Sequence, residues 1–344
     1  MNPDPPSKAE KHNLERSSRL SVAPMMDWTD RHCRYFHRQL SGRALLYTEM
    51  VTAAALVRGG AEHLLHHDPG EYPLALQLGG ADPVELAQAA RLGAQAGFDE
   101  INLNCGCPSD RVQSGTFGAV LMRDAGRVAA CVRAMQDAVD IDVTVKCRIG
   151  VDEQDPQHVL PEFLARIIAA GCERVAIHAR KAWLQGLSPK ENRDIPPLDY
   201  DLVHHIKMLF PNLHISINGG VESVDQALDL LDAGLDGVMI GRAAYQRPHA
   251  LLAEVDQRVF GSDAAPITAE QAARAMLPYI EAHLSRGGRL HQVTRHMLGL
   301  FAGRAGARAW RRHLSEGAHA PSAGPELVEQ ALSLVTSLPT AQAS

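Results

Sequence analysis

The sequence predicts an α/β fold, a closed (β/α)8 TIM barrel with a C-terminal all-helical domain. Three observations carry this. Eight short segments rich in aliphatic and β-branched residues recur over the first 243 positions, most of them ending in Gly, Pro or a polar residue. The intervals between them are of helix length and lack hairpin signals, which favours a closed parallel barrel over an open doubly wound sheet. Beyond Arg242 the pattern becomes purely helical.

In order, the strand segments are "LSVAPM" from Leu20, "LLYTEM" from Leu45, "LALQLGG" from Leu74 and "EINLNCG" from Glu100. "VTVKCRIG" from Val143, "RVAIHAR" from Arg174, "LHISINGG" from Leu213 and "GVMIGRA" from Gly237 follow. An interval such as "DPVELAQAARLGAQAG" has helix punctuation: Asp82 can cap, Pro83 suits the first turn and Gly97 marks the end. The last helical segments are "ITAEQAARAMLPYIEAHLSRGG", "LHQVTRHMLGLF", "GARAWRRHLSE" and "PELVEQALSLVTSL". The expected organisation is a disordered extension over 1–19, a catalytic barrel over 20–262, a helical domain over 263–338 and a loose tail over 339–344.

The chain has 344 residues, enough for one large barrel and an appendage, and its 45% hydrophobic and 22% charged residues suit a globular enzyme. No apolar run approaches the roughly 18–20 residues of a membrane span. The N-terminus lacks the apolar core of a secretory signal, so a cytoplasmic address is expected, and a monomer is the default expectation. Six cysteines in so long a chain do not form a disulfide framework. The net charge of −6 conceals a reversal: from Arg286 to Arg312 there are seven arginines and no Asp or Glu, which suggests an anionic partner.

Strands covered by helices should be almost continuously apolar, so their polar residues need a reason. Here they share a parity. Leu74, Leu76 and Leu78 leave Gln77 on the opposite face; Ile101, Leu103 and Cys105 leave Asn102 and Asn104; Val143, Val145, Cys147 and Ile149 leave Lys146 and Arg148. Val175 and Ile177 leave His178, and Ile215 and Ile217 leave Asn218. With the aliphatic face against the helices, these polar residues point into the barrel near the C-terminal strand ends, where barrel active sites lie. Any one of them could be a satisfied core group, but Lys146 is harder to place, because a buried ammonium calls for an anionic partner. "INGG" after strand seven and "IGRA" after strand eight sit where barrels commonly bind phosphate, with glycine N–H groups and Arg242 as donors.

"NCGCP" admits three readings. A Cys105–Cys107 disulfide would close a small strained ring. A zinc site would need further ligands such as Cys147 and His178, and parity turns Cys105 and Cys147 outward, so no metal is expected. On the third reading Cys105 is a buried hydrophobe, while Cys107, past the strand end, enters the barrel mouth as a nucleophile or proton donor. "GTFGAVLM", from Gly115, could cover that mouth.

The stretches "APMMDWTD", "YTEM", "LNCGCPSDRVQSG", "VKCRIGVD", "IHARKAWLQGLSPKENRDIPPLDY", "INGG", "IGRAAY" and "TRHMLGLFAGRAGARAWRRHLSE" occur in this order from about Leu20 to Glu316. In them the chain resembles the tRNA-dihydrouridine synthases, in particular the bacterial A type. The resemblance implies an oxidoreductase that uses bound FMN and NADPH to reduce uridine to 5,6-dihydrouridine in the tRNA D-loop, at position 20 and 20a. It implies that Pro24, Met25 and Met26 line the isoalloxazine, that Gln77 bonds its edge, and that Lys146 sits by N1 and the C2 oxygen. His178 would touch the ring and phosphate region, and Asn218, Gly219, Gly220, Gly241 and Arg242 would hold the phosphate. It further implies hydride transfer from flavin N5 to uracil C6, with the Cys107 thiol protonating C5. Asn104 would contact the flipped uridine, and Lys190, Arg193, Arg308 and Arg311 would contact tRNA. Cys105 departs from the aliphatic residue usual in the family. A flavoenzyme acting on free pyrimidines, a Schiff-base aldolase using Lys146 and a non-catalytic RNA-binding barrel remain open as alternatives.

Overall fold

A computed structural model describes residues 16–109 and 117–336. The eight expected strands are β1 (Leu20–Val22), β2 (Leu45–Thr52), β3 (Leu74–Gly79), β4 (Glu100–Cys105), β5 (Asp142–Arg148), β6 (Arg174–His178), β7 (His214–Asn218) and β8 (Gly237–Ile240). They close into a barrel in sequence order, with every neighbouring pair parallel and β8 returning to β1. One irregularity was not anticipated: the register of β2 against β3 shifts between Tyr47 and Met50.

The strands are followed by α1 (Arg31–Leu40), α2 (Ala53–Val57), α3 (Pro83–Gln95), α4 (Ala125–Gln136), α5 (Pro156–Ala169), α6 (Tyr200–Leu209), α7 (Val224–Asp232) and α8 (Arg242–Gln246). Their starts follow from local chemistry. Asp30, Asp82, Asp124, Asp155, Asp199 and Ser223 each accept backbone N–H groups in the first turn, satisfying donors that a helix N-terminus leaves free. In α3 the Asp82–Pro83 start is as expected, and Gly97 leaves the helix at φ 96°, a conformation suited to glycine.

The alternation of each strand divides the core in two. Leu74, Leu76, Leu78, Ile101, Leu103, Cys105, Val145, Cys147, Ile177 and Ile217 belong to one large apolar cluster between the barrel wall and the helices. Inside the barrel lies a small cluster of Ala23, Leu45, Tyr47, Ala75, Ala176 and Met239. At the N-terminal rim the disorder expected over 1–19 does not extend to 16–19. Ser17 and Ser18 are buried, Ser18 Oγ lies 3.3 Å from His214 Nε2, and the Arg19 carbonyl accepts the Val238 N–H. The chain crosses so close to β8 that a Cβ on Gly237 would come within 2.4 Å of the Ser18 carbonyl oxygen. Residues 1–15 and the expected tail over 339–344 lie outside the described residues.

After α8 come α9 (Pro248–Leu252), α10 (Val255–Arg258), α11 (Ala269–Ala275), α12 (Leu277–Ser285), α13 (Leu290–Thr294), α14 (Ala307–Gly317) and α15 (Glu326–Thr336). Apolar residues of these helices and their connections, including Met276, Ile280, Phe301, Trp310 and Leu314, join the same cluster as Phe36 and Leu40 of α1. α11 and α13 pack directly on α1. No helix among the described residues is long and apolar enough to cross a membrane.

Asp30 ties this packing together. It caps α1 by accepting from the His32 and Cys33 N–H groups, and it takes Arg295 at 2.6 Å and His296 Nε2 at 3.0 Å from the C-terminal helices. Burial works to raise its pKa, but His296, the Cys33 N–H and Arg295 together hold it well below the usual carboxylate range. A depressed folded-state pKa stabilises the fold above the unfolded value of about 3.9, and that contribution disappears as pH falls through the folded pKa. Asp30→Asn should therefore cost about 2–3 kcal/mol at pH 7. Urea melts should show the gap between variant and parent narrowing steadily as the pH is lowered below 4.

Candidate active site

The polar residues of the inner face converge at the C-terminal mouth of the barrel. Gln77, Asn102, Asn104, Arg148, His178 and Asn218 are buried, and Lys146 is half-buried among them. Lys146 Nζ donates to Asn218 Oδ1 at 3.0 Å, and Asn218 Nδ2 donates to the Met239 carbonyl at 2.7 Å, which fixes the amide. Burial pulls the Lys146 pKa down to about 8, assisted by the neighbouring Arg148 guanidinium. Burial also holds His178 well below the usual imidazole range, so it is neutral near pH 7.

Glycine is needed after β7. Gly219 (φ 109°) and Gly220 (φ 73°) lie in the left-handed half of backbone space, and a Cβ on Gly219 would stand 2.7 Å from the His178 ring. After β8, a Cβ on Gly241 would sit in ordinary contact with Ala23 Cβ at 3.8 Å and Met25 Sδ at 3.9 Å, so this glycine is not forced by crowding. Arg242 is not free: its guanidinium meets Asp194 Oδ1 at 2.6 Å. Asp194 belongs to the loop after β6, as do Lys190 and Arg193, both exposed. Asn192, fully buried, organises that loop through bonds to Trp183 N–H and to the Trp183, Leu187 and Ser188 carbonyls. Arg148 staples the loops on either side, donating to the carbonyls of Gly106, Lys181 and Asn192.

The two cysteines separate as parity predicts. Cys105 is fully buried in the layer facing the helices, and burial pushes its thiol far above the ordinary range. Cys107 lies past the end of β4, half-buried, with Sγ 3.5 Å from Ser109 Oγ, and it interacts electrostatically with Lys146, Arg148 and Arg193. Asn104 Oδ1 accepts from both the Gly106 and Cys107 N–H groups, at 3.1 and 3.0 Å. Among the described residues no group of three or more His, Cys, Asp or Glu could hold a metal ion. Of the segment from Gly115 expected over the mouth, Gly115 and Thr116 fall outside the described residues. Gly118–Arg123 forms a 3-10 helix, and Phe117 packs against Gly79 of β3.

On the β1 side, Pro24 and Met25 are half-buried and Met26 is 55% exposed, so the three form a rim in which Met26 is the open member. In the arginine-rich stretch, two members find acids outside it: Arg295 pairs with Asp30 and Arg304 with Glu270. Both arginines stay exposed, at 44% and 43%, so this part of the expected anion-binding surface is partly neutralised rather than buried. Arg308 and Arg311 of α14 remain exposed and make no ion pair among the described residues, while Trp310 and Leu314 turn inward.

The inward reading overlooked the deeper layer. Glu100, fully buried, accepts from Arg174 at 2.7 Å, from Tyr47 Oη at 2.8 Å and from Thr144. Glu100 shares the parity of Asn102 and Asn104, and Arg174 that of His178, so two opposite charges at inward positions were the available signal.

Fold and site together define a (β/α)8-barrel enzyme, with a basic, glycine-edged mouth and one accessible thiol among five buried ones. The family model for dihydrouridine synthase (Dus) matches residues 21–336. The tRNA-dihydrouridine(20/20a) synthase of Shewanella oneidensis is 59% identical over 322 residues, covering 94% of this chain and 95% of that protein. The enzymes of the same name from Vibrio cholerae and Escherichia coli (strain K12) are 57% and 56% identical, covering 94% and 95% of this chain and 98% and 94% of theirs. The chain belongs to the dihydrouridine synthase family.

The burial pattern predicts selective chemistry. Iodoacetamide at pH 7.5 should alkylate Cys107 in the native protein and leave Cys33, Cys105, Cys131, Cys147 and Cys172 unmodified until denaturant is added. Peptide mass mapping of the two samples checks this.

Proposed function

We propose that this protein reduces uridine to 5,6-dihydrouridine in the tRNA D-loop, at position 20 and 20a, with FMN as its bound cofactor and NADPH as the reductant. The observation that carries the reading is Cys107, an accessible thiol held past β4 among Lys146, Arg148 and Arg193 in a dihydrouridine synthase barrel.

The residues present suit a phosphate-bearing anionic cofactor. Among the described residues Lys146 has one hydrogen-bond partner for three donors, and an anion beside it would compensate the burial that pulls its pKa down. Gly219 and Gly220 let the chain after β7 turn in against His178, Leu198 and Tyr200, the backbone N–H groups of Gly219, Gly220 and Gly241 would serve as phosphate donors, and Arg242 already holds one anionic group, the Asp194 carboxylate. Pro24, Met25 and Met26 offer an apolar rim for a flat ring, while Gln77 and His178 present polar edges from the barrel wall. FMN, when bound, supplies the hydride that ends on C6 of the uracil, and NADPH renews it. Cys107 gives its thiol proton to C5, so two hydrogens are added across the C5–C6 bond. Asn104 orients the base, and Lys190, Arg193, Arg308 and Arg311 hold the tRNA backbone by charge.

The purified protein should be yellow or become so on reconstitution with FMN, and should consume NADPH with tRNA lacking dihydrouridine. Cys107→Ala is expected to keep flavin bleaching by NADPH while tRNA reduction falls about a hundredfold or more. A preparation that is colourless and takes up no FMN would sink the proposal.

Lys146 sets a pH signature. Its ammonium is charged below about 8 and neutral above, so the affinity for an anionic flavin should fall as pH rises from 7 to beyond 9. A roughly tenfold loss is expected, corresponding to about 1.4 kcal/mol of charge attraction. Lys146→Met should bind FMN more weakly at pH 7 and flatten the profile, as read by flavin fluorescence quenching.

A further inference from the structure

The geometry points to Glu100, at the closed end of the barrel, as a positioning residue for the loop that carries Cys107, acting through a one-way chain of side-chain hydrogen bonds. Asn104 Nδ2 donates to Gln77 Oε1 at 2.8 Å, Gln77 Nε2 to Asn102 Oδ1 at 2.8 Å, and Asn102 Nδ2 to Thr144 Oγ1 at 2.8 Å. The Thr144 hydroxyl then donates to Glu100 Oε1. Gln77, Asn102 and Thr144 are register partners on β3, β4 and β5, so the barrel wall itself brings these links together.

Amide groups can turn over, and their assignment rests on the bonding pattern around them. Here both ends have fixed polarity. At the mouth, the Gly106 and Cys107 N–H groups can only donate, so Asn104 must present Oδ1 to them. At the base, Glu100 receives Tyr47, Thr144 and the Arg174 guanidinium. Three donors aimed at one carboxyl suit the ionised form, because a protonated carboxyl would itself have to donate. Between these ends every amide has one workable orientation. The carboxylate thus determines which atom Asn104 turns toward the Cys107 loop.

The consequence is specific to hydrogen-bond direction. With Glu100→Gln, keeping Oε1 toward Thr144 and Tyr47 would set the new NH2 against the Arg174 guanidinium, donor against donor. Turning it the other way makes Thr144 an acceptor from the new NH2: either its own proton is then left without an acceptor, or each amide reverses in succession until Asn104 Nδ2 faces the Gly106 and Cys107 N–H groups. In each case a buried polar group is mismatched, although the side-chain shape is conserved.

The role assigned to Cys107 in turnover rests on the function proposed above; the loop geometry does not, and it can be tested without flavin or tRNA. Amide exchange of Gly106 and Cys107 and the alkylation rate of Cys107 should be measured in the parent, Thr144→Val, Thr144→Ser and Glu100→Gln. Exchange in α5 serves as the control for global opening. Thr144→Val should lower protection of the two amides about five- to tenfold, the scale of one lost hydrogen bond, and shift the alkylation rate, while α5 stays protected. Thr144→Ser, which keeps the hydroxyl, should restore both, and Glu100→Gln should match or exceed Thr144→Val. If Glu100→Gln fails to fold, the Val and Ser pair at Thr144 decides. Parent-like exchange and alkylation in folded Thr144→Val would overturn the inference. So would loss of protection spread equally over the loop and α5, which would mark Thr144 as an ordinary core residue.

Discussion

A closed barrel imprisons half the side chains of its strands, and every polar group among them must find its partner inside. With no sheet edge and no route to water below the mouth, an inward amide or charge costs free energy unless a neighbour on the next strand answers it. That constraint accounts for the interior from base to rim. Where the inward residues are small or apolar, as at Ala23, Ala75, Ala176 and Met239, they pack on one another. Where they are polar, the parallel register supplies most partners, although among the described residues Arg174 Nε at the base stays unpaired and Lys146 at the mouth keeps donors unused.

The mouth inverts the character of the chain. The protein as a whole is acidic, yet Lys146, Arg148, Arg180, Arg193 and Arg242 gather around one opening, with Asp194 between the last two. Arg148 is buried, and burial lowers its pKa to about 10, so this cation lacks much of its usual solvation. The Arg242–Asp194 pair is more than a third exposed on both sides, and such pairs contribute only about 0–1 kcal/mol. An anion arriving at Arg242 would give up little in displacing a carboxylate held so weakly. Buried Arg148 and half-buried Lys146 would then gain the opposite charge that their surroundings lack.

Much of this was legible in the sequence because strand alternation has a period of two. Once Leu74, Leu76 and Leu78 are assigned to one face, the inward direction of Gln77 follows, and the same step places Asn104, Lys146 and His178 and separates Cys105 from Cys107. Other features depend on contacts between distant segments that no local pattern records. The arginine-rich stretch contains no acid, but Asp30 and Glu270 reach it from elsewhere and pair with Arg295 and Arg304. Ser18 reads as part of a polar lead-in, yet it packs at the base of the barrel because Gly237 leaves room for its backbone. Glu100 and Arg174 were visible as inward charges, but their pairing depends on barrel closure bringing β4, β5 and β6 around a common interior.

The same logic explains why the helical segment is fused so closely to the barrel. The β1–α1 connection carries the Pro24–Met26 rim at one end and Asp30 at the other, and Asp30 is held by Arg295 and His296. Between them Trp28 stacks on Tyr245 at 4.4 Å, and Tyr245 meets the His296 ring edge-on. A rim on a free loop would lose conformational entropy each time it closed on a ligand. Anchored at Trp28 and Asp30, this rim meets part of that cost during folding. The segment that holds those anchors packs in the same apolar cluster as Trp310 and Leu314 of α14, so one core supports both the barrel mouth and the helix that displays Arg308 and Arg311.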